Sequence, residues 1–222
     1  MEYIYQHLGL GDHIVCNGLV RNLINSGKEY KMFVKHHNYD SVSFMYRDLQ
    51  NLSFIAVNDD QEVSSFITKN KNGEDNLITI GFESREGVGF DKLFYIQHLI
   101  PFEKRWSDFK IMRDYDREDY LYKKLNPSNE KFILIHRSGS DGADRINYDI
   151  LSKDIKLIYV ENHTGNIFDY LGLSEKAEEI HCVESSFHHI IDSLDLNKNI
   201  FFHNNKNSRG FHHTLNDNWK IV

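Results

Sequence analysis

The sequence predicts an α/β protein of two small Rossmann-like halves facing a cleft, each half a parallel sheet with crossover helices. Three observations predict it. Residues 3–27 run from an apolar-aromatic stretch through a glycine turn into a helical pattern. Short apolar runs then alternate with helical patterns to about residue 85. The alternation restarts at KFILIH, residues 131–136, which again leads into a glycine–serine loop.

In the opening unit Tyr3, Ile4 and Tyr5 read as strand and Leu8-Gly9-Leu10-Gly11-Asp12 as the turn. Ile14, Val15, Leu19, Leu23 and Ile24 recur on one helical face, and Gly27 stands where a C-terminal cap would. The glycines let backbone approach a ligand, and a helix N-terminus favours anions. Asp12 stands against a phosphate there, because its carboxylate repels one. It reads either as a helix cap or as a base aimed at an uncharged hydroxyl.

Strands follow at 30–35, 52–57 and 77–82, with helices at 40–49 and from Asn58-Asp59-Asp60 to about Lys69. Residues 90–125 break the rhythm: they are aromatic and charged, helical over 91–99 and 115–125, and punctuated by Pro101. After the strand at 131–136 come a short helix at 147–153, a strand at 156–161, a helix at 166–172 ending at Gly172, and a strand at 179–185. A helix from Ser186 to Leu194 and a strand at 199–204 complete the second half, and the tail ends WKIV. The division is therefore 1–89, a helical connector 90–128, and 129–222.

Composition bounds function. The chain has 222 residues, 40% hydrophobic and 13% aromatic, enough for a packed core. A formal charge of −7 argues against a nucleic-acid partner, and 13 histidines make the charge respond to pH. Cys16 and Cys182 lie in no metal spacing and read as reduced, in a cytoplasmic protein. Met1-Glu2 does not open a signal peptide, and no apolar run nears the ~20 residues that span a bilayer.

Three constellations could carry chemistry. Gly9, Gly11, Asp12 and His13 form Gly-x-Gly-Asp, without the third glycine of the dinucleotide fingerprint, which argues against a nicotinamide or flavin cofactor. The bland reading is a tight turn capped by Asp12. His136-Arg137-Ser138-Gly139-Ser140 with Arg145 offers small residues and two arginines, the chemistry a sugar-nucleotide diphosphate needs; a solvated surface turn is the alternative. Glu184-Ser185-Ser186-Phe187-His188-His189 ends a strand and opens a helix. There Glu184 suits ribose or sugar hydroxyls, the serines suit phosphate, and His189 suits either; an ordinary serine N-cap is the alternative. The pairs His36-His37, His188-His189 and His212-His213 are poor chelators, because adjacent side chains diverge, so no metal site and no cofactor is expected. In Ile100-Pro101-Phe102-Glu103-Lys104-Arg105-Trp106 the favoured reading is core packing plus an ion pair, with Lys104 or Arg105 reaching the cleft as the alternative.

Taken together, the three loops resemble the GT-B glycosyltransferases of the heptosyltransferase type, family 9. Leu10-Gly11-Asp12 matches the Gly-Asp at the head of that family's first helix. The resemblance implies that Asp12 is the base for the acceptor hydroxyl and that Arg137 to Ser140 hold donor phosphates; beside it, His13 or His189 is expected to assist by hydrogen bonding to sugar or phosphate. Glu184 to His189 keep the spacing of the family's late Asp-Thr/Ser-Gly-x-x-His motif, with Glu184 and Ser186 in place of aspartate and glycine. The implied activity is metal-independent, inverting transfer of a sugar from a nucleotide-diphosphate sugar to a glycan, lipid-linked or other hydroxyl acceptor. The whole chain also resembles small proteins of bacterial polysaccharide clusters and large viruses, sharing HLGLGDHIVCNGLVR, IPFEKRW and ESSFHHIID. Its length, short for the family, implies trimmed loops or an acceptor part supplied by a membrane surface or protein partner. A non-catalytic nucleotide- or glycan-binding module, or an NAD-dependent sugar-nucleotide enzyme, is the alternative.

Overall fold

The computed structural model describes residues 1–83, 86–204 and 214–222. It divides into two compact units. The first comprises Met1–Met112 with Thr214; the second runs from Arg113 and includes Leu215–Val222. The stretch 90–128 is thus shared between them.

The first unit carries β1 (Glu2–Gln6), β2 (Tyr30–Lys35), β3 (Leu52–Val57) and β4 (Asn76–Ile80), all parallel, in the order β3-β2-β1-β4. Tyr3 pairs with Lys31 on one side and Leu77 on the other. Ile4, Met32, Phe33, Val34 and Ile80 are shut from solvent, as expected of a sheet covered on both faces. The chain winds outward from β1 to β3 and then returns to the far side of β1, so the order reverses between β1 and β4.

The predicted first helix is two helices, α1 (Leu10–Val15) and α2 (Asn17–Leu23), breaking at Cys16. A Cβ at Gly18 would run into the Lys104 carbonyl, so α2 presses directly on the backbone of a later helix. Helix α2 ends at Ile24, already extended at ψ 126°, so Gly27 is not its cap. The Tyr30 hydroxyl takes up the Asn25 N–H at 3.3 Å beyond that end. Helix α3 is Tyr39–Met45, and α4, Asp60–Asn70, is capped by Asp59, whose carboxylate accepts from the Gln61 and Glu62 N–H groups.

Helices α5 (Phe90–Ile96) and α6 (Lys104–Ser107) are joined by a buried charge pair. Arg105 donates to Asp91 at 2.8 Å and both side chains are fully buried. Thr214 completes the arrangement: its N–H donates to Asp91 and its carbonyl accepts from Arg105, both at 2.8 Å. The IPFEKRW motif is therefore structural, with Lys104 paired to Asp108.

The second unit opens with α7 (Tyr115–Leu125), capped by Asp114. Strands β5 (Phe132–His136), β6 (Lys156–Tyr159), β7 (Glu179–Cys182), β8 (Asn199–Phe202) and β9 (Trp219–Ile221) are all parallel, in the order β6-β5-β7-β8-β9. The order reverses between β5 and β7. The helix expected at 147–153 is a single 3-10 turn, Tyr148–Ile150. The helix expected to end at Gly172 runs from a 3-10 turn, Ile167–Tyr170, into α8, Leu171–Lys176. Gly172 is therefore interior to α8, and a Cβ there would lie 3.1 Å from the Glu118 carboxylate. Helix α9 is Ser186–Asp192. Asp192 accepts from Trp219 Nε1 and Asn216 N–H, both at 2.8 Å, which lays the tail over α9 and seats β9 beside β8. Among the described residues no helix is long and apolar enough to cross a membrane.

Truncating Arg105 leaves Asp91 as a buried charge without its counter-ion. The expected result for Arg105→Ala is a loss of about 3–5 kcal/mol of unfolding free energy in urea titrations; a loss within 0.5 kcal/mol, about the size of an ordinary surface substitution, would contradict the pair's role.

Candidate active site

In open parallel sheets ligands bind beyond the carboxyl ends of strands, where the strand order reverses. Each unit has one such point, and the predicted residues collect at both.

In the first unit Gly9, Gly11 and Asp12 leave β1 and enter α1. Gly9 is the N-cap, with no side-chain cap bond, and Asp12 is the third residue of the helix. Asp12 is therefore not the cap. Its carboxylate folds back over Gly9, so closely that a Cβ on Gly9 would lie 2.5 Å from Oδ2. Half-burial raises the Asp12 carboxyl from 3.8 to about 6, against the opposing pull of His7 and of its own backbone N–H. A carboxylate with such a value near neutral pH is a better proton acceptor than an exposed aspartate.

His13 differs from expectation. It is fully buried, its Nδ1 is hydrogen-bonded to the Gln6 amide, and burial pushes its pKa down to about 3. The imidazole stays neutral and meets no solvent, held beneath the turn by Gln6. The reason is the short helix: α1 turns its next residues, Ile14 and Val15, into the core, and His13 goes with them.

The residue missed from sequence is His7. Its Nε2 is 2.8 Å from the Gly81 carbonyl, which ties the end of β1 to the end of β4. Its ring packs against Phe82, Phe90 and Phe94 with centroids 4.8, 5.2 and 6.0 Å away. A lone histidine after an aromatic strand carries no periodic signal; only the sheet order places it beside Asp12.

In the second unit the loop after β5 closes on itself through a Ser138–Asp144 bridge and the Arg145 N–H to Arg137 carbonyl bond at 2.9 Å. Gly139 fits because a Cβ there would come within 3.0 Å of the Glu184 carbonyl. The structure thus brings Arg137, Ser138, Ser140 and Arg145 together with Glu184, Ser185 and Ser186, across the reversal between β5 and β7. Arg137 is exposed, lies over the Tyr159 ring at 5.0 Å and donates to Glu161 at 3.0 Å. Arg145 grips Asp141 with both ends of its guanidinium, which holds the Asp141 carboxyl down at about 2. Exposed pairs of this kind are worth about 0–1 kcal/mol, so an incoming diphosphate can displace either carboxylate. His136, at the root of the loop, stacks on Phe187, and burial lowers its pKa to about 4.

Two expectations here are corrected. The Ser185 hydroxyl is the N-cap of α9: it accepts from the His188 N–H at 3.4 Å and donates to the Val183 carbonyl at 3.1 Å. His188 Nδ1 accepts from the Ser185 N–H in return at 2.8 Å, a capping box with histidine in place of glutamate. The hydroxyl is spent on the fold. His189 is 3% exposed, its ring centroid 3.8 Å from that of His188 at a tilt of 42°, while His188 itself packs on Phe202 of β8 and Trp219 of the tail. Among the described residues no cluster of three or more His, Cys, Asp or Glu is placed to hold a metal ion. His212-His213 lies outside the described residues.

No family model and no curated protein matches the sequence. Solved structures do match in fold. A family 9 glycosyl transferase from Veillonella parvula aligns over 100% of this chain and 86% of its own, at TM-score 0.63 and 10% identity. The fold is that of the family 9 glycosyltransferases. The E. coli ADP-heptose lipopolysaccharide heptosyltransferase II matches at TM-score 0.54 and 8% identity, and an E. coli heptosyltransferase solved with ADP at 0.50 and 9%; each alignment covers 100% of this chain and 90% of that one.

The folded Asp12 carboxyl holds its proton to about pH 6, whereas an unfolded one releases it near 3.8. Between those values the native state binds more protons, so Asp12 lowers stability as pH rises from about 4 to 6 and costs up to about 3 kcal/mol above that. Asp12→Asn is expected to raise unfolding free energy by about 1–3 kcal/mol at pH 7.5 and to leave it unchanged at pH 4. Equal effects at both pH values would contradict the buried carboxylate.

Proposed function

We propose that the protein is a metal-independent, inverting glycosyltransferase that moves a sugar from a nucleotide-diphosphate donor to a hydroxyl of a glycan or lipid-linked acceptor. The observation that carries this reading is Asp12: a half-buried carboxylate raised to about 6 at the head of α1, in the fold of the family 9 glycosyltransferases. Two matched structures bear names with ADP-heptose or ADP, which supports a nucleoside diphosphate as the donor's leaving group.

In this reaction Asp12 Oδ takes the proton of the acceptor hydroxyl while its oxygen bonds to the anomeric carbon. The bond from that carbon to the diphosphate breaks, and its electron pair leaves on the phosphate oxygen. A positioned base contributes roughly 10²- to 10⁴-fold in rate. Arg137 and Arg145 stabilise the negative charge gathering on the leaving group, with the open Ser138 and Ser140 region of the β5 loop around it. His7 and Gly9 hold the carboxylate in place. Glu184 takes ribose or sugar hydroxyls. Two buried free cysteines suit a reducing compartment, the cytoplasm.

A second reading, a module that binds nucleotide or glycan without turnover, is favoured by one observation: Arg145 and Ser185 are both engaged within the protein. Kinetics separate the two. Asp12→Asn is expected to lower transfer by at least a hundredfold while the dissociation constant for the nucleoside diphosphate stays within a factor of two. Retained turnover removes Asp12 as the base. Nucleotide bound by the wild-type chain with no product from any sugar donor favours the binding module.

A further inference from the structure

The carboxyl end of β4 holds a feature that the proton transfer does not use. Gly81 follows Ile80 at φ +90°, a conformation that favours glycine, and a Cβ there would collide with the Phe94 ring and come within 2.7 Å of His7. That turn lays Phe82 across the end of the sheet. Its ring rests on Tyr5 at 4.6 Å and 36° and on His7 at 4.8 Å and 35°. Both supports are fixed: the Tyr5 hydroxyl donates to Asp60 at 2.6 Å, and His7 is bonded to the Gly81 carbonyl. Phe82 itself is 45% exposed.

A single exposed aromatic ring is ordinary on a protein surface. This one is held rigidly, with ring supports beneath it, at the reversal between β1 and β4 where Asp12 stands. The electron-rich face of an aromatic ring attracts electropositive C–H groups. A pyranose presents such C–H groups on its flat side and hydroxyls around its edge. A nucleobase stacks as well, but the carboxylates of Asp12 and Asp60 disfavour the phosphates a nucleotide brings.

We propose that Phe82 is the stacking platform for the pyranose ring of the acceptor, orienting one of its hydroxyls toward Asp12. That the stacked sugar is an acceptor rests on the transferase reading; the stacking itself does not. Saturation-transfer NMR on the full chain tests it, with methyl pyranosides of glucose, galactose and mannose as probes and adenosine and uridine as controls. Irradiating aromatic protons is expected to pass saturation to the ring C–H protons of at least one glycoside. Phe82→Ala should lower that signal at least fivefold, and Phe82→Trp should keep it. Melting temperatures within two degrees of wild type would establish that the exposed position tolerates the changes. Equal signals in wild type and Phe82→Ala, no transfer to any glycoside, or transfer confined to the nucleosides would each overturn the platform. A Phe82-dependent sugar signal in a protein that turns over no nucleotide sugar would leave the platform standing and remove the transferase reading.

Discussion

The arrangement depends on one constraint, the reversal of strand order in each parallel sheet. Parallel strands need crossovers, and right-handed crossovers that change direction leave a crevice between the two strands from which the winding departs. In the first unit that crevice lies between β1 and β4, in the second between β5 and β7. Backbone at these two places cannot be covered by a crossover helix. Loops there meet ligand or solvent, and every functional candidate except the buried histidines sits in one of them.

Asp12 carries a cost to stability. A carboxylate half out of water is destabilising in its ionised form, and among the described residues the opposing influences on it are a histidine and its own backbone N–H rather than an arginine or lysine. An aspartate kept for structure would be expected to pair, as Asp91 does with Arg105 and Asp169 with Arg117 at 2.7 Å. The contrast between these carboxylates within one chain is why Asp12 reads as a reactive group. In the second unit the opposite economy holds: the arginines are resting on exposed carboxylates that a diphosphate can replace.

Much of this was legible in the sequence because apolar runs of four to six residues are strong signals in a covered parallel sheet. The strands at 30–35 and 52–57 and the helix at 115–125 fall where periodicity places them. What was not legible depends on long-range packing. WKIV is too short to declare itself a strand; its seat beside β8 comes from Asp192 holding Trp219 and Asn216. The break at Cys16 is marked by no proline or glycine at that position. His13 and His189 look available in a helical first turn, yet the helices are short and covered, so both go inside. Ser185 by itself reads as an ordinary N-cap and only the resemblance draws it toward phosphate, while histidine at the fourth position of the capping box gives no familiar signal. Phe82 reads as the last residue of a strand until Gly81 turns the chain beneath it.

The measurement that tests the central claim most directly is a thermal-shift panel of UDP, GDP, ADP, dTDP, CDP and NAD(H), with and without EDTA, on the wild-type chain and on Arg137→Ala. A ligand at 100 times its dissociation constant adds about 2.7 kcal/mol to stability, a shift of several degrees for units of this size. The account predicts a shift with one nucleoside diphosphate, indifferent to EDTA and diminished in Arg137→Ala. A shift with NAD(H) alone, or a nucleotide shift untouched by Arg137→Ala, would contradict it.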